Sequence, residues 1–263
     1  PLYRQEKDWL QYGFELSRAT MANWVIECTD KYLRVLYEFY HRLLLSRGFA
    51  MADESPIQVL KEEGREATAK SYMWLFRSGE DDTPPIVLYK YASTRSGDVA
   101  KEFLKGFNGY LMADGYTGYN KVQDIKRCCC FAHIRRYFFD AIPKGKNRDI
   151  SCPAVQGVEY CDKLFAYERH FKEKGYSYKQ IKNGRLKKEK PVIEAFLSWL
   201  EKQKPIKGSK FATAVTYALN RKEHMMTYLE DGRCSLSNNL SEQKMKSYVI
   251  EYEIGRASCR ERG

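Results

Sequence analysis

From Tyr3 to about Ser46, apolar residues recur at helical spacing. Tyr3 to Tyr12 has the period of a short helix, Gly13 breaks it, and Ser17 offers a hydroxyl to cap a second helix. Between Glu27 and Leu45, the positions Tyr32, Leu33, Leu36, Phe39, Tyr40, Leu43 and Leu44 fall on one face, which predicts a longer packed helix. The period then changes. Phe49 to Asp53 reads as a strand, with Ile57 to Leu60 extending or following it. Lys70 to Arg77 and Ile86 to Ala92 read as two more strands, separated by a polar loop that ends in Pro84-Pro85. Asp98 to Phe107 predicts an amphipathic helix capped at Ser96 or Gly97. Tyr110 to Ala113 and Lys126 to Phe131 predict two short strands, and Ile134 to Ile142 returns to helix. From Ser151 to about Asp231 the pattern is helical and polar. A last helix from Ser237 to about Ile250 is entered through the capping run Ser237-Asn238-Asn239. Three strands, a helix, two strands, a helical insertion and a closing helix make an ordered α/β pattern.

Composition narrows the class. A chain of 263 residues with 43% hydrophobic and 30% charged positions can bury a sizeable core and is globular. No apolar stretch approaches bilayer length, since Leu43-Leu44-Leu45 ends in Ser46-Arg47, and no secretory signal zone is visible; a cytoplasmic protein with no membrane partner is expected. Eight cysteines, three of them consecutive at Cys128-Cys129-Cys130 and none in a C-x-x-C pair, predict reduced thiols rather than a disulfide framework or a structural zinc site.

The net charge of +11 favours a polyanionic partner. It is concentrated: Lys172 to Lys190 holds eight Lys/Arg against two Glu, with Tyr176 and Tyr178 interleaved. Lys182, Arg185, Lys187 and Lys188 in this stretch are candidate phosphate contacts, the competing reading being a solvated helix face. The helix, glycine turn and helix at the N-terminus has the outline of a helix-turn-helix, with Arg18, Thr20 and Asn23 as candidate DNA contacts; an ordinary helical hairpin has the same outline.

Two hexapeptides are near copies, Gly48-Phe49-Ala50-Met51-Ala52-Asp53 and Gly109-Tyr110-Leu111-Met112-Ala113-Asp114. If both apolar runs are buried parallel neighbours, their aspartates emerge side by side, and two carboxylates so placed are relieved by a shared divalent cation. Singly, each acid has a plainer reading: Asp114-Gly115 is a turn signal, Asp53 a strand end, and Glu242 a solvent-facing helix residue.

The segments Ala52-Asp53-Glu54-Ser55-Pro56-Ile57-Gln58-Val59-Leu60, Ala113-Asp114-Gly115-Tyr116-Thr117-Gly118-Tyr119, Cys130-Phe131-Ala132-His133-Ile134-Arg135-Arg136-Tyr137-Phe138 and Ser237-Asn238-Asn239-Leu240-Ser241-Glu242 occur in this order. They resemble the successive motifs of the insertion sequence 66 family of bacterial transposases. Leu2-Tyr3-Arg4-Gln5 and Leu16 to Trp24 resemble the segment preceding that family's catalytic core. The resemblance implies a ribonuclease-H-like mixed sheet flanked by helices, of the DDE class, with Asp53, Asp114 and Glu242 as the three acids. Those acids would hold two Mg²⁺ ions, with Mn²⁺ as a substitute, for in-line attack on a phosphodiester.

It further implies double-stranded DNA as partner, both element ends and target, a homo-oligomer on DNA, and accessory proteins encoded by the element. A Cys/Asp-x-x-His pair like Cys130 and His133 occurs in several DDE groups and implies a role in shaping the site beside the acids, a satisfied structural histidine being the plain alternative. Arg135 and Arg136 follow it and could reach phosphate. Lys246, one turn after Glu242, stands where the family carries a basic residue.

The organisation expected is a helical segment over 1–46, a first part of the core over 47–150, a basic helical insertion over 151–231 and the catalytic helix over 232–250. The chain begins at Pro1 without the N-terminal region of family members and is expected to be a fragment. Residues 251–263 depart from the family's continuation and are expected to be a non-native tail. Two rival functions are a ribonuclease-H-like nuclease or resolvase without strand transfer, and a DNA-binding relic without catalysis.

Overall fold

The computed structural model of the chain describes residues 2–59, 62–145 and 149–260, with side chains through 250. Leu60, the expected limit of the first strand, and the side chains of the expected tail 251–263 lie outside the described residues. Among the described residues no helix is long and apolar enough to cross a membrane.

The N-terminal helices are α1 (Leu2–Gln11) and α2 (Arg18–Cys28). They are separated by a turn in which Gly13 takes φ +81°, a left-handed conformation that glycine adopts without steric cost. Ser17 caps α2, its hydroxyl accepting the backbone N–H of Thr20. A single wide turn over Thr29–Leu33 joins α2 to α3 (Arg34–Leu45), so the helical path continues from Arg18 to Leu45. The packed face expected here is corrected by the structure. Tyr32, Leu33, Leu36, Phe39, Tyr40 and Leu43 are exposed, and only Leu44 is fully buried. The helix docks through its last turns alone: Tyr37 donates to the Tyr89 carbonyl, His41 meets the Phe103 carbonyl, and Leu44 enters the core.

The strands are β1 (Phe49–Gln58), β2 (Lys70–Ser78), β3 (Val87–Ala92), β4 (Tyr110–Ala113) and β5 (Lys126–Cys129), in the order β3-β2-β1-β4-β5. β1 runs antiparallel to β2 and parallel to β4, and β4 is parallel to β5. Alternation along β1 divides the core: Phe49 and Met51 join one apolar cluster, Ala50 and Ala52 the other. β4 repeats the pattern, with Met112 in the first cluster and Leu111 and Ala113 in the second. The two strands begin where backbone meets backbone. Tyr110 donates its N–H to the Gly48 carbonyl, and a Cβ on Gly109 would lie 2.5 Å from that same oxygen.

One sheet face carries α4 (Gly97–Phe103), capped by Ser96, and the end of α3. The opposite face carries α5 (Phe131–Asp140), which begins three residues earlier than its sequence pattern suggests, and the insertion. The insertion comprises α6 (Pro153–Glu173), α7 (Tyr178–Gly184), α8 (Lys190–Lys202) and α9 (Lys210–Leu219). The chain returns through α10 (Asn239–Arg260), which packs on β1 and β2. Described cysteines are free thiols, with Cys128, Cys129, Cys130, Cys161 and Cys234 buried.

Arg185 corrects the sequence reading most sharply. It lies between α7 and α8 with its side chain 2% exposed, and it is no surface cation. Its guanidinium binds both carboxylate oxygens of Glu168 and the carbonyls of Tyr228, Asp231 and Cys234, which engages every donor it has. Burying an arginine is tolerable only with such complete pairing, so this residue locks the insertion to the loop before α10 instead of meeting phosphate.

Candidate active site

The register Met51↔Met112 pairs the two parallel strands. Counting two residues onward along each places Asp53 opposite Asp114, on the sheet face that carries α5. Adjacent strands lie about 4.8 Å apart, so the two carboxylates emerge as neighbours. Asp53 accepts the backbone N–H of Glu54, and Asp114 accepts that of Tyr116 in a tight turn. Among the described residues no salt bridge reaches either acid. Partial burial, followed by the charges of Glu54, Asp114 and Glu242, pushes the Asp53 carboxyl up to about 7.

Glu242 arrives in the first turn of α10. Two buried polar contacts fix that helix end: Asn238 Nδ2 donates to the Ala52 carbonyl at 2.9 Å, and Arg77 from β2 donates to the Leu240 carbonyl at 3.2 Å. Glu242 lies 3.7 Å from both His133 Nδ1 and Arg136 Nη2. His133 sits in the first turn of α5, and Cys130 immediately precedes that helix. Among the described residues the structure brings Cys130, His133 and Glu242 into direct proximity, and it seats the start of α10 on Ala52, the neighbour of Asp53.

Glu54 points the other way, by strand alternation. Its carboxylate, 1% exposed, is held by Arg95 and by the hydroxyl of buried Tyr119 on the α4 face. The acid beside Asp53 therefore has an ion-pair partner, and Asp53 has none among the described residues. Glu54, Arg95, Tyr119, Asn238 and Arg77 were not singled out from the sequence as site residues. Asn238 stood in a capping run and Glu54 beside a candidate acid, but their partners are distant in the chain.

A 140 Å³ cavity adjoins Asp114, lined by Thr117, Arg127, Asn220, Arg221 and His224. A larger cleft of 930 Å³ separates the sheet from the insertion, with Arg169, Lys172, Tyr176, Tyr178 and Arg233 on its walls. Of the interleaved aromatics, Tyr176 already stacks on Phe171, and Tyr178 donates to the Glu80 carbonyl. Lys182, Lys187, Lys188 and Lys246 are exposed. Arg136 is exposed beside Glu242, whereas Arg135 is paired with Asp162 at 2.5 Å. On the N-terminal hairpin, Arg18, Thr20 and Asn23 are exposed. The Arg18 guanidinium covers the Tyr3 ring, and the Thr20 hydroxyl lies 2.9 Å from that of Ser17.

A sequence model of the Transposase IS66 family matches residues 1–261. Among curated proteins, the chain is similar to three uncharacterized proteins of Sinorhizobium fredii (strain NBRC 101917 / NGR234). Protein y4qI is 29% identical across 95% of this chain and 48% of its own length. Proteins y4hP and y4jD are each 27% identical across 95% of this chain, covering 48% and 50% of theirs. The chain therefore spans about half the length of the curated relatives it matches. A family match that runs through the twin acidic hexapeptides, the Cys130 to His133 segment and the start of α10 leaves one assignment: the chain belongs to the IS66 family of transposases.

Proposed function

We propose that this chain carries the catalytic domain of a DDE-class DNA transposase on a ribonuclease-H-like fold. The register of β1 with β4 supports the reading best, because it aims Asp53 and Asp114 from one face of the sheet, and α10, with Glu242 in its first turn, starts beside Ala52. The order of the acids also agrees: the first lies on β1, the second just after β4, and the third on a helix beyond an insertion.

Mg²⁺ fits this donor set. The ligands are carboxylate oxygens, and a partly buried acid raised to about 7 by burial and its neighbours marks a concentration of negative charge, with no salt bridge to Asp53 among the described residues. When bound, Mg²⁺ supplies activation of a water or 3′-hydroxyl and stabilisation of the leaving oxygen in attack on a phosphodiester. Asp53, Asp114 and Glu242 would hold it. Arg77 and Asn238 fix the start of α10 and so orient Glu242, and Arg95 with Tyr119 keeps Glu54 on the opposite face.

Double-stranded DNA, as element ends and as target, is the substrate in this reading. Lys182, Lys187, Lys188, Lys246 and Arg136 supply exposed positive charge, and Arg18, Thr20 and Asn23 offer a second contact surface. A homo-oligomer on DNA, working in the cytoplasm with accessory proteins, completes it.

The test is Mg²⁺- or Mn²⁺-dependent nicking of plasmid DNA carrying the element ends, with joining of labelled 3′-hydroxyl ends to target. Asp53→Asn, Asp114→Asn and Glu242→Gln are each expected to lower both activities by about 10³-fold, the scale on which loss of a transition-state stabiliser acts, with unchanged far-ultraviolet circular dichroism. Retained activity in any of the three would overturn the site assignment. Nicking without joining would favour a nuclease.

A further inference from the structure

 Cys130, His133 and Glu242 come from the starts of α5 and α10, whose first residues, 131 and 239, are 108 positions apart in the chain. One ligand atom from each of the three residues lies within 4.8 Å of the others. His133 Nδ1 and Glu242 Oε1 are 3.7 Å apart, both are sealed from solvent, and neither has a hydrogen-bond partner among the described residues.

That separation discriminates between two explanations. It is too long for a hydrogen bond, which ends near about 3.2 Å. Two ligands held about 2.0–2.1 Å from one tetrahedral ion stand about 3.4 Å apart. Buried polar atoms left unpaired are costly, so two of them aimed at one point beside a thiol call for a common partner. The sulfur is already supported, since Cys130 Sγ accepts the backbone N–H of Asn238 at 3.2 Å, the kind of outer contact that steadies a metal-bound thiolate.

We propose that Cys130 Sγ, His133 Nδ1 and Glu242 Oε1 form a binding site for a zinc-class divalent ion. A thiolate and an imidazole select zinc or cobalt over Mg²⁺, which prefers oxygen ligands throughout. Binding exchanges the thiol proton for the metal: the S–H bond breaks, an S–metal bond forms, and the proton leaves to solvent. Three protein ligands leave a fourth position for water or a phosphate oxygen. The ion is distinct from Mg²⁺ at Asp53 and Asp114 but shares Glu242 with it. The site stands on its own geometry, and only this sharing rests on the function proposed above.

Titration of the metal-free chain with Co²⁺ tests the site. One equivalent is expected to bring up a sulfur-to-cobalt charge-transfer band in the near ultraviolet, which Zn²⁺ abolishes and excess Mg²⁺ leaves in place. Cys130→Ser should remove the band, and His133→Gln and Glu242→Gln should each weaken Co²⁺ binding at least tenfold, with circular dichroism confirming the fold. If Cys130→Ser does not fold, the His133→Gln titration decides. No band in the parent chain, a band that survives Cys130→Ser, or undiminished binding in His133→Gln would overturn the proposal. Asp53→Asn separates the two readings: it should keep the cobalt band while losing Mg²⁺-dependent cleavage. Absence of the band from a parent chain whose Mg²⁺-dependent cleavage is intact would sink this site alone.

Discussion

Two groups of buried or partly buried acids in this molecule meet opposite fates. In the insertion, Glu168 faces Arg185, whose guanidinium is fully engaged, while Glu189 accepts the Tyr228 hydroxyl at 2.6 Å. At the end of the β1–β4 ladder, among the described residues, Asp53 and Asp114 bond only to backbone N–H groups of nearby residues. Burial pushes the carboxyls of both Glu189 and Asp53 upward. The difference lies in the cation. One cluster contains its own counter-charge, supplied by the sequence and locked by carbonyls, so it serves as a joint. The other has no such counter-charge among the described residues, which suits the divalent-ion site proposed for it.

Removing the resident cation should break that contrast most severely. Arg185→Ala strips Glu168 and three carbonyls of their donor at once, and a loss of about 3–5 kcal/mol is expected in urea unfolding. A loss below about 1 kcal/mol would show that the joint is dispensable. The acids at the end of the β1–β4 ladder should respond in the opposite direction. With the folded carboxyl raised to about 7 from its ordinary 3.8, Asp53 destabilises the metal-free fold increasingly as pH rises between those values, and not at all below them. Asp53→Asn should therefore stabilise the metal-free protein at pH 8 by about 1–3 kcal/mol, discounted for the site's partial solvent access, with the gain vanishing toward pH 4. Thermal unfolding across that range checks it, and a gain independent of pH would exclude a charge effect. Smallest is the stability change for exposed Lys182, Lys187 and Lys188 replaced together by Ala, about 0.5 kcal/mol per residue or less. Their expected signature is a shallower dependence of DNA affinity on salt, measured by fluorescence anisotropy.

The strands were legible because their signals are local. The apolar runs of the twin hexapeptides and the longer runs at Lys70 and Ile86 each declare a buried strand, and Ser17 and Ser96 mark helix starts through their own hydroxyls. Asp53 and Asp114 could be paired from the sequence because identical spacing on parallel neighbours gives identical position. Arg185 could not be read, since a buried lysine-rich stretch and an exposed one share a composition and only Glu168 and three distant carbonyls distinguish them. The apolar face of α3 misled for a related reason: helical spacing shows which positions share a side, not whether anything covers it. The approach of Glu242 to Cys130 and His133 depends on the whole insertion returning the chain to β1, which no local pattern records.

The contact between Gly109 and Gly48 has a mechanical consequence. Asp53 lies five positions along the strand from Gly48, and Asp114 five from Gly109, a lever arm of about 16 Å. With no side chain at the pinch, the two backbones are clamped at their starting ends. A methyl group inserted there would force the rails to part or slide, and a skew of a few degrees would displace the far tips by about 1 Å. Functional groups that act together must be held to about 0.5 Å, so the tolerance of the acidic pair is set at the opposite end of the sheet, by two residues that carry no chemistry.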